Sequence, residues 1–262
     1  MTLALALLGC TFTPGAGFSE ITGAELTALL APGAARDLGD DTVLTNLSYE
    51  VRLDSLALEL DDWALQTLEG GAEEFDPANP PDGYSLCHGG HCHYSDGSLV
   101  DYADIQAELA GGDATYADEV RFALGDSADL LAGASWSLAP EGSAQLPLVS
   151  LSRSVVRAGA LSLSGEVSGG ALGDIAAPLS VVITEVGELP ALLSLTVDRD
   201  LAPRIALTAE LIAGGTLFDD IDFVDLVDAD DGHIRLDGTD AGATLLEALY
   251  DGALSVAVEE QP

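Results

Sequence analysis

Five residues that can bind a metal ion lie within one short segment of the chain. Residues 84–94 have the sequence YSLCHGGHCHY, which contains Cys87, His88, His91, Cys92 and His93. The whole chain has three cysteines and four histidines, so five of these seven residues share one window. Imidazole and thiolate groups are the usual protein ligands of zinc and copper. The segment is therefore the first candidate for a chemical function.

The spacing inside this segment indicates how its side chains can meet. Gly89 and Gly90 permit a tight reversal, because glycine adopts positive φ without steric cost. Such a turn brings Cys87 towards the residues that follow it. His91 and His93 flank Cys92, and alternate residues of an extended segment share a face. We therefore expect the two imidazoles to point to the same side.

Four interpretations of the segment are compatible with its residues. In the first, Cys87 and Cys92 form a disulfide, and the metal ligands, for copper or zinc, are His88, His91 and His93. In the second, both thiols stay reduced and join one or more of those histidines around the metal. In the third, a disulfide closes a structural loop whose histidines face water. In the fourth, Cys87-x4-Cys92-His93 is a spaced variant of the C-x-x-C-H attachment motif of haem c.

Motifs of enzymatic catalysis are scarce in the rest of the chain. There is no G-x-S-x-G or H-E-x-x-H sequence, and a phosphate loop ending in lysine is excluded because the chain has no lysine. Residues 219–222 and 228–232 are acidic but lack the spacing of an EF-hand, so we predict solvated turns. His233 is either a distal ligand or a solvated turn residue. We expect a binding protein, not an enzyme.

Composition narrows the classes of partner. The 262 residues include 8 arginines and 45 acidic side chains, which gives a net charge of −37. A surface this negative repels phosphate backbones, so we expect no nucleic-acid partner. Anionic lipid headgroups are repelled in the same way. Because 48% of the residues are hydrophobic, the chain is expected to fold rather than to be disordered.

The first residues resemble a lipoprotein signal. Leu7-Leu8-Gly9-Cys10 follows a short apolar run and is similar to a bacterial lipobox. The resemblance implies that residues 1–9 are removed, that Cys10 is the lipidation site, and that residues 10–18 form a tether. No later apolar run approaches the roughly 18 residues that span a bilayer. The resemblance thus implies a lipid anchor in the membrane of the cell envelope, facing the periplasm or exposed on the outer membrane, where disulfides persist.

Alternating apolar residues predict an all-β, mostly antiparallel β-sandwich over a single domain, residues 19–262. The clearest strand covers residues 46–60, whose alternation changes phase at Asp54-Ser55 and so indicates a bulge or a bend. Short helices are predicted over residues 19–30, 101–110 and 240–250. Residues 69–115 lack alternation and are predicted to be a long loop insertion that carries the Cys/His segment.

A lipobox, a β-rich chain and a Cys/His-rich loop together resemble copper-binding lipoproteins of the cell envelope. The methanobactin-associated copper-binding proteins are the family to which this architecture is similar. That resemblance implies a β-sandwich in which histidines bind copper beside an oxidised tryptophan. The likeness assigns no residue of this chain, and we expect Trp63 and Trp136 to be core residues.

Overall fold

The computed structural model describes residues 16–69, 75–88, 91–95, 98–102, 105, 109, 115–198, 201, 204–250 and 253–261. The described residues form sixteen strands: β1 Ala16–Ala31, β2 Asp37–Gly39, β3 Thr42–Leu44, β4 Tyr49–Glu69, β5 Tyr84–His88, β6 His91–Tyr94, β7 Leu99–Asp101, β8 Thr115–Asp129, β9 Ala134–Leu138, β10 Gln145–Pro147, β11 Ser150–Gly169, β12 Ile175–Ile183, β13 Gly187–Thr196, β14 Arg204–Gly214, β15 Ile234–Arg235 and β16 Leu254–Gln261. A 3-10 helix, Phe223–Leu226, and the helix α1, Asp240–Tyr250, lie between β14 and β16. Strands make up 62% of the structure and helices 8%, which confirms the all-β prediction.

The strands form three sheets. An eight-stranded sheet has the order β15-β12-β11-β4-β3-β2, with β13 also paired to β11 and β8 to β4. A five-stranded sheet has the order β10-β1-β14-β16, with β9 also paired to β1. The third sheet is β5-β6-β7. Most pairs are antiparallel, as predicted, but β1 pairs with β14 and β12 with β15 in parallel.

The two larger sheets share one hydrophobic core. Buried residues of the five-stranded sheet, such as Leu26 and Leu207, belong to the same cluster as Leu58, Trp63 and Leu161 of the eight-stranded sheet. Alternate residues on the longer strands of both sheets point into this cluster, which is the pattern on which the strand predictions depended. The shared core is the arrangement expected of a β-sandwich.

The phase change predicted near Asp54 is a β-bulge. Ser164 of β11 pairs with Ser55, and the next residue, Gly165, pairs with Leu53, so Asp54 is the extra residue on β4. The bulge turns Leu56, Leu58 and Leu60 back towards the core after Leu53, since one inserted residue reverses the alternation of side chains.

The helix predicted over residues 19–30 is wrong, because these residues form β1. This strand lies between β14 on one side and β9 and β10 on the other. Its buried face alternates through Ala24, Leu26 and Ala28, each at most 1% exposed. The two alanines hid the period of two, and pairing on both edges outweighs helix propensity. The helix over residues 240–250 is confirmed, and the described residues Tyr102, Ile105 and Leu109 of the 101–110 segment are helical.

Candidate metal site on the Cys/His hairpin

The Cys/His segment lies in two strands rather than in the predicted loop. Strand β4 ends at Glu69, and β8 begins at Thr115 directly opposite it. Between them, β5 and β6 form an antiparallel hairpin, and β7 pairs with the other edge of β6. The loop prediction failed because strands of three to five residues are too short to show alternation. Two glycines between two short strands are nevertheless a hairpin signal.

The hairpin contains a bulge that brings the two cysteines together. Ser85 pairs with His93 and His88 with His91, so two residues of β5 oppose Cys92 alone. The first of them, Leu86, has φ of +48°, a left-handed conformation that residues other than glycine rarely adopt. The second is Cys87. The bulge therefore places Cys87 beside Cys92 across the two strands.

Cys87 and Cys92 form a disulfide, which confirms that predicted pair. Their Cα atoms are 4.0 Å apart, and they are five residues apart in sequence. Closing so short a loop contributes about 2 kcal/mol in the chain-entropy model. The bond joins two strands that already pair with each other, and it reaches neither of the larger sheets. It therefore braces the hairpin locally and leaves the main core independent of it.

His91 and His93 lie on one face of β6, as their spacing predicts. Both are partly buried, and their ring centroids are 5.9 Å apart with 56° between the planes. Two imidazoles on one ion have centroids about 5–6 Å apart, because each metal–nitrogen bond is about 2.0 Å long. Cys92 lies between them and is fully buried, so its side chain points to the opposite face. The structure therefore groups the histidines and separates them from the disulfide.

Strand register adds two positions to the histidine pair. His88 of β5 is directly opposite His91 on one side, and Asp101 of β7 is directly opposite His91 on the other. One row across the three-stranded sheet is therefore His88, His91 and Asp101. Sequence reasoning treated Asp101 only as the start of a helix, because nothing local indicates that residues 99–101 pair with β6.

Other predicted site residues are elsewhere or undescribed. His233 follows an acidic turn, where its backbone N–H donates to Asp231 Oδ1 over 3.0 Å, and it precedes β15 of the eight-stranded sheet. Cys10 lies outside the described residues. Among the side chains that the structure describes, no three of His, Cys, Asp or Glu are grouped closely enough to hold a metal ion. In that same part of the chain, no helix is long and apolar enough to cross a membrane.

A network of ion pairs on the eight-stranded sheet was not predicted. It contains three arginines, three carboxylates and one amide: Arg121, Arg153, Arg157, Asp62, Asp118, Glu188 and Gln66. Arg157 contacts all three carboxylates, at 2.9 Å from Asp62, 2.8 Å from Asp118 and 3.1 Å from Glu188. The hydrogen bond from Arg157 lowers the pKa of Asp118 below its ordinary value. The network is neutral overall and bridges four strands, so its role is structural.

The remaining sequence candidates are structural as well. Trp63 is fully buried, stacks on Phe122 with ring centroids 4.7 Å apart, and donates a hydrogen bond from Nε1 to Ser154 Oγ over 2.7 Å. The acidic run at 219–222 is less solvated than predicted. Its Asp219 accepts a hydrogen bond of 2.6 Å from Arg36, and Asp222 accepts one of 2.6 Å from Tyr49. These carboxylates anchor the 219–222 turn to β4 and to the turn that precedes β2.

Comparison with known proteins identifies no relative. The chain matches no protein-family model, no curated protein and no solved structure.

Proposed function

We propose that this protein binds a copper or zinc ion through His91 and His93, with His88 as a further ligand. The observation that carries the proposal is the pair of imidazoles on one face of β6, with ring centroids 5.9 Å apart. Strand pairing holds both residues in place, and the disulfide braces the hairpin from its other face. The protein acts by binding or buffering the metal rather than by catalysis.

The chemistry of the donors favours particular ions. With Cys87 and Cys92 joined, no thiolate is offered, and imidazole ligands suit Zn(II) and Cu(II). Soft Cu(I) would need the reduced thiols of the second interpretation. A net charge of −37 also raises the local concentration of cations around the molecule. The first interpretation of the segment is therefore preferred.

A second candidate function is that of a structural or interaction lipoprotein. Leu86 of β5 is 74% exposed and Leu99 of β7 is 59% exposed, so the three-stranded sheet presents apolar side chains to solvent. Haem c attachment remains the weakest alternative, because its thioether bonds need both sulfurs that the disulfide uses.

Titration of the full-length chain with Zn(II) and with Cu(II) tests metal binding. We expect about one ion per chain, an affinity at least tenfold weaker in His91→Ala/His93→Ala, and no change in the matched control His233→Ala. Affinity should also fall on acidification, because the metal binds deprotonated imidazole. Equal binding by the wild type and the double variant would show that the site is assigned wrongly. Absence of binding by the wild type would leave the stapled hairpin as the surviving function.

We also propose that Cys10 anchors the protein in the cell envelope. The disulfide supports this location, because such bonds persist in oxidising compartments. Fractionation of expressing cells should place the wild type with membranes and Cys10→Ser in the soluble fraction, since acyl burial supplies the affinity. Unchanged partitioning of Cys10→Ser would overturn the anchor. The control, His233→Ala, should stay in the membrane fraction like the wild type.

A further inference from the structure

We propose that the Cys87–Cys92 disulfide is a site of thiol–disulfide exchange that dithiols reduce by attack on Cys87, and that its reduction weakens metal binding by the hairpin. The exchange itself is independent of the proposed function, whereas its effect on metal affinity rests on it.

The two sulfur-bearing residues differ in accessibility. Cys92 is fully buried, whereas Cys87 is only partly buried and follows Leu86, which is 74% exposed. Exchange needs a thiolate to approach one sulfur in line with the bond that breaks, so access decides which sulfur is attacked. Cys87 is therefore the point of attack and Cys92 the leaving group.

Reduction of the disulfide by a dithiol takes two exchange steps. A thiolate of the dithiol bonds to Cys87 Sγ, the bond between Cys87 and Cys92 breaks, and Cys92 leaves as a thiolate that takes up a proton. The second thiol of the reductant then displaces Cys87, which also ends as a thiol. The protein gains two electrons and two protons, and the dithiol becomes a disulfide.

The backbone around Cys87 is suited to respond to this change. Leu86 and Cys87 form a bulge in which two residues of β5 oppose one of β6, and Leu86 has φ of +48°. Once the covalent bond no longer joins the strands, Leu86 can return to an ordinary conformation. That change shifts the pairing of His88 with His91. Because His91 and His93 share the strand that carries Cys92, the hairpin then holds its imidazoles less rigidly.

The bond is also dispensable for the rest of the fold. It joins neighbouring strands of the three-stranded sheet, while the main core is built from the other two sheets. Reduction can therefore alter the hairpin without unfolding the molecule, so that the disulfide can be reduced and formed again in the folded protein.

The first test locates the attacked sulfur. The test uses the full chain carrying Cys10→Ser, which removes the third cysteine. It is treated with 2-mercaptoethanol, which has no carboxylate that the acidic surface would repel. The mixture is then acid-quenched and mapped by peptide mass spectrometry. We expect the mercaptoethanol adduct on Cys87 in at least tenfold excess over Cys92. Adducts shared equally or lying mainly on Cys92 would overturn the proposal, as would a bond that dithiothreitol reduces only after denaturation.

The second test measures the affinity for Zn(II), which is redox-inert. Three proteins are compared: the oxidised protein, the protein reduced and desalted without oxygen, and Cys87→Ser/Cys92→Ser. We expect affinity to fall at least tenfold in the last two, while circular dichroism shows the β fold retained. The Cys92 thiol of the reduced protein does not compensate, because it lies on the face of β6 opposite His91 and His93. Unchanged affinity in the serine variant would overturn the coupling. Tighter binding by the reduced protein than by the oxidised protein would overturn the proposal that reduction weakens metal binding. If no form binds Zn(II), the proposed function fails, while the adduct map still decides the exchange.

Discussion

At the scale of single residues, the carboxylate of Asp118 is held ionised by Arg157, at 2.8 Å, in the network on the eight-stranded sheet. Its pKa in the folded protein lies below the unfolded value. The stability that this pair contributes is therefore fully present above the unfolded pKa, about 3.9. That contribution is lost as the pH falls through the lower, folded pKa.

Replacement of Asp118 by Asn should accordingly cost about 1 kcal/mol of unfolding free energy at pH 7. The difference from the wild type should begin to shrink below about pH 4, where the unfolded wild-type carboxylate takes up a proton, and should vanish once the pH falls below the lower, folded pKa. Denaturant unfolding of both proteins across this range checks the prediction. A difference that stays constant down to pH 2 would mean that the ion pair contributes nothing.

Residue types predicted the hairpin chemistry better than the polar network. Cysteines at 87 and 92 and histidines at 91 and 93 are neighbours in sequence, so spacing alone predicted the shared histidine face and made the disulfide one of the possible outcomes. Asp62, Asp118 and Arg157 come from three different strands. Their meeting depends on the register of β4, β8 and β11, which no local pattern specifies.

At the scale of elements, the long strand β4 was predictable and the short strands were not. Alternation over residues 46–60 predicted the strand and a bulge or bend near Asp54, and strand register shows that it is a bulge. The alternation of β1 is weak because two of its five buried residues, Ala24 and Ala28, are alanines, so the sequence predicts a helix there. The strands of the Cys/His hairpin are shorter than one full alternation pattern, so only the paired glycines indicated them.

The bulge at Asp54 requires a glycine at the facing position of the neighbouring strand, β11. A Cβ atom on Gly165 would lie 2.0 Å from the carbonyl oxygen of Arg52, so the two backbones can approach this closely only if residue 165 is glycine. Gly165→Ala should lower the unfolding free energy by about 1–3 kcal/mol. Thermal and denaturant unfolding measure this.

Gly159, on the same strand, is the matched control. Its nearest neighbours would be carboxylate oxygens 3.7 Å from the added Cβ, which is ordinary contact. Gly159→Ala should change stability by no more than about 1 kcal/mol, in the stabilising direction if at all. Equal destabilisation by the two alanines would refute the close approach at the bulge.

At the scale of the whole molecule, the excess of negative charge opposes folding. Among the described residues, ion pairs involve Arg36, Arg52, Arg121, Arg153, Arg157 and Arg235. With 45 acidic residues and 8 arginines, most carboxylates have no cation of their own. Their mutual repulsion acts against the compact state and is screened by salt.

The melting temperature should therefore rise with salt. Between about 10 mM and 1 M the Debye length falls from about 30 Å to about 3 Å, and sodium chloride and potassium chloride should act alike. Differential scanning calorimetry measures the change. A melting temperature independent of salt would contradict the prediction, and a response confined to micromolar calcium would point to a calcium site in the acidic turns.

The central claim is that imidazoles on one face of β6, without sulfur, hold a metal ion. X-ray absorption spectroscopy of the zinc- or copper(II)-loaded, oxidised protein tests it most directly. We predict a shell of nitrogen or oxygen at about 2.0 Å with imidazole scattering beyond it, lost in His91→Ala/His93→Ala and kept in His233→Ala. A sulfur shell at about 2.3 Å, or imidazole scattering that survives in the double variant, would contradict the claim.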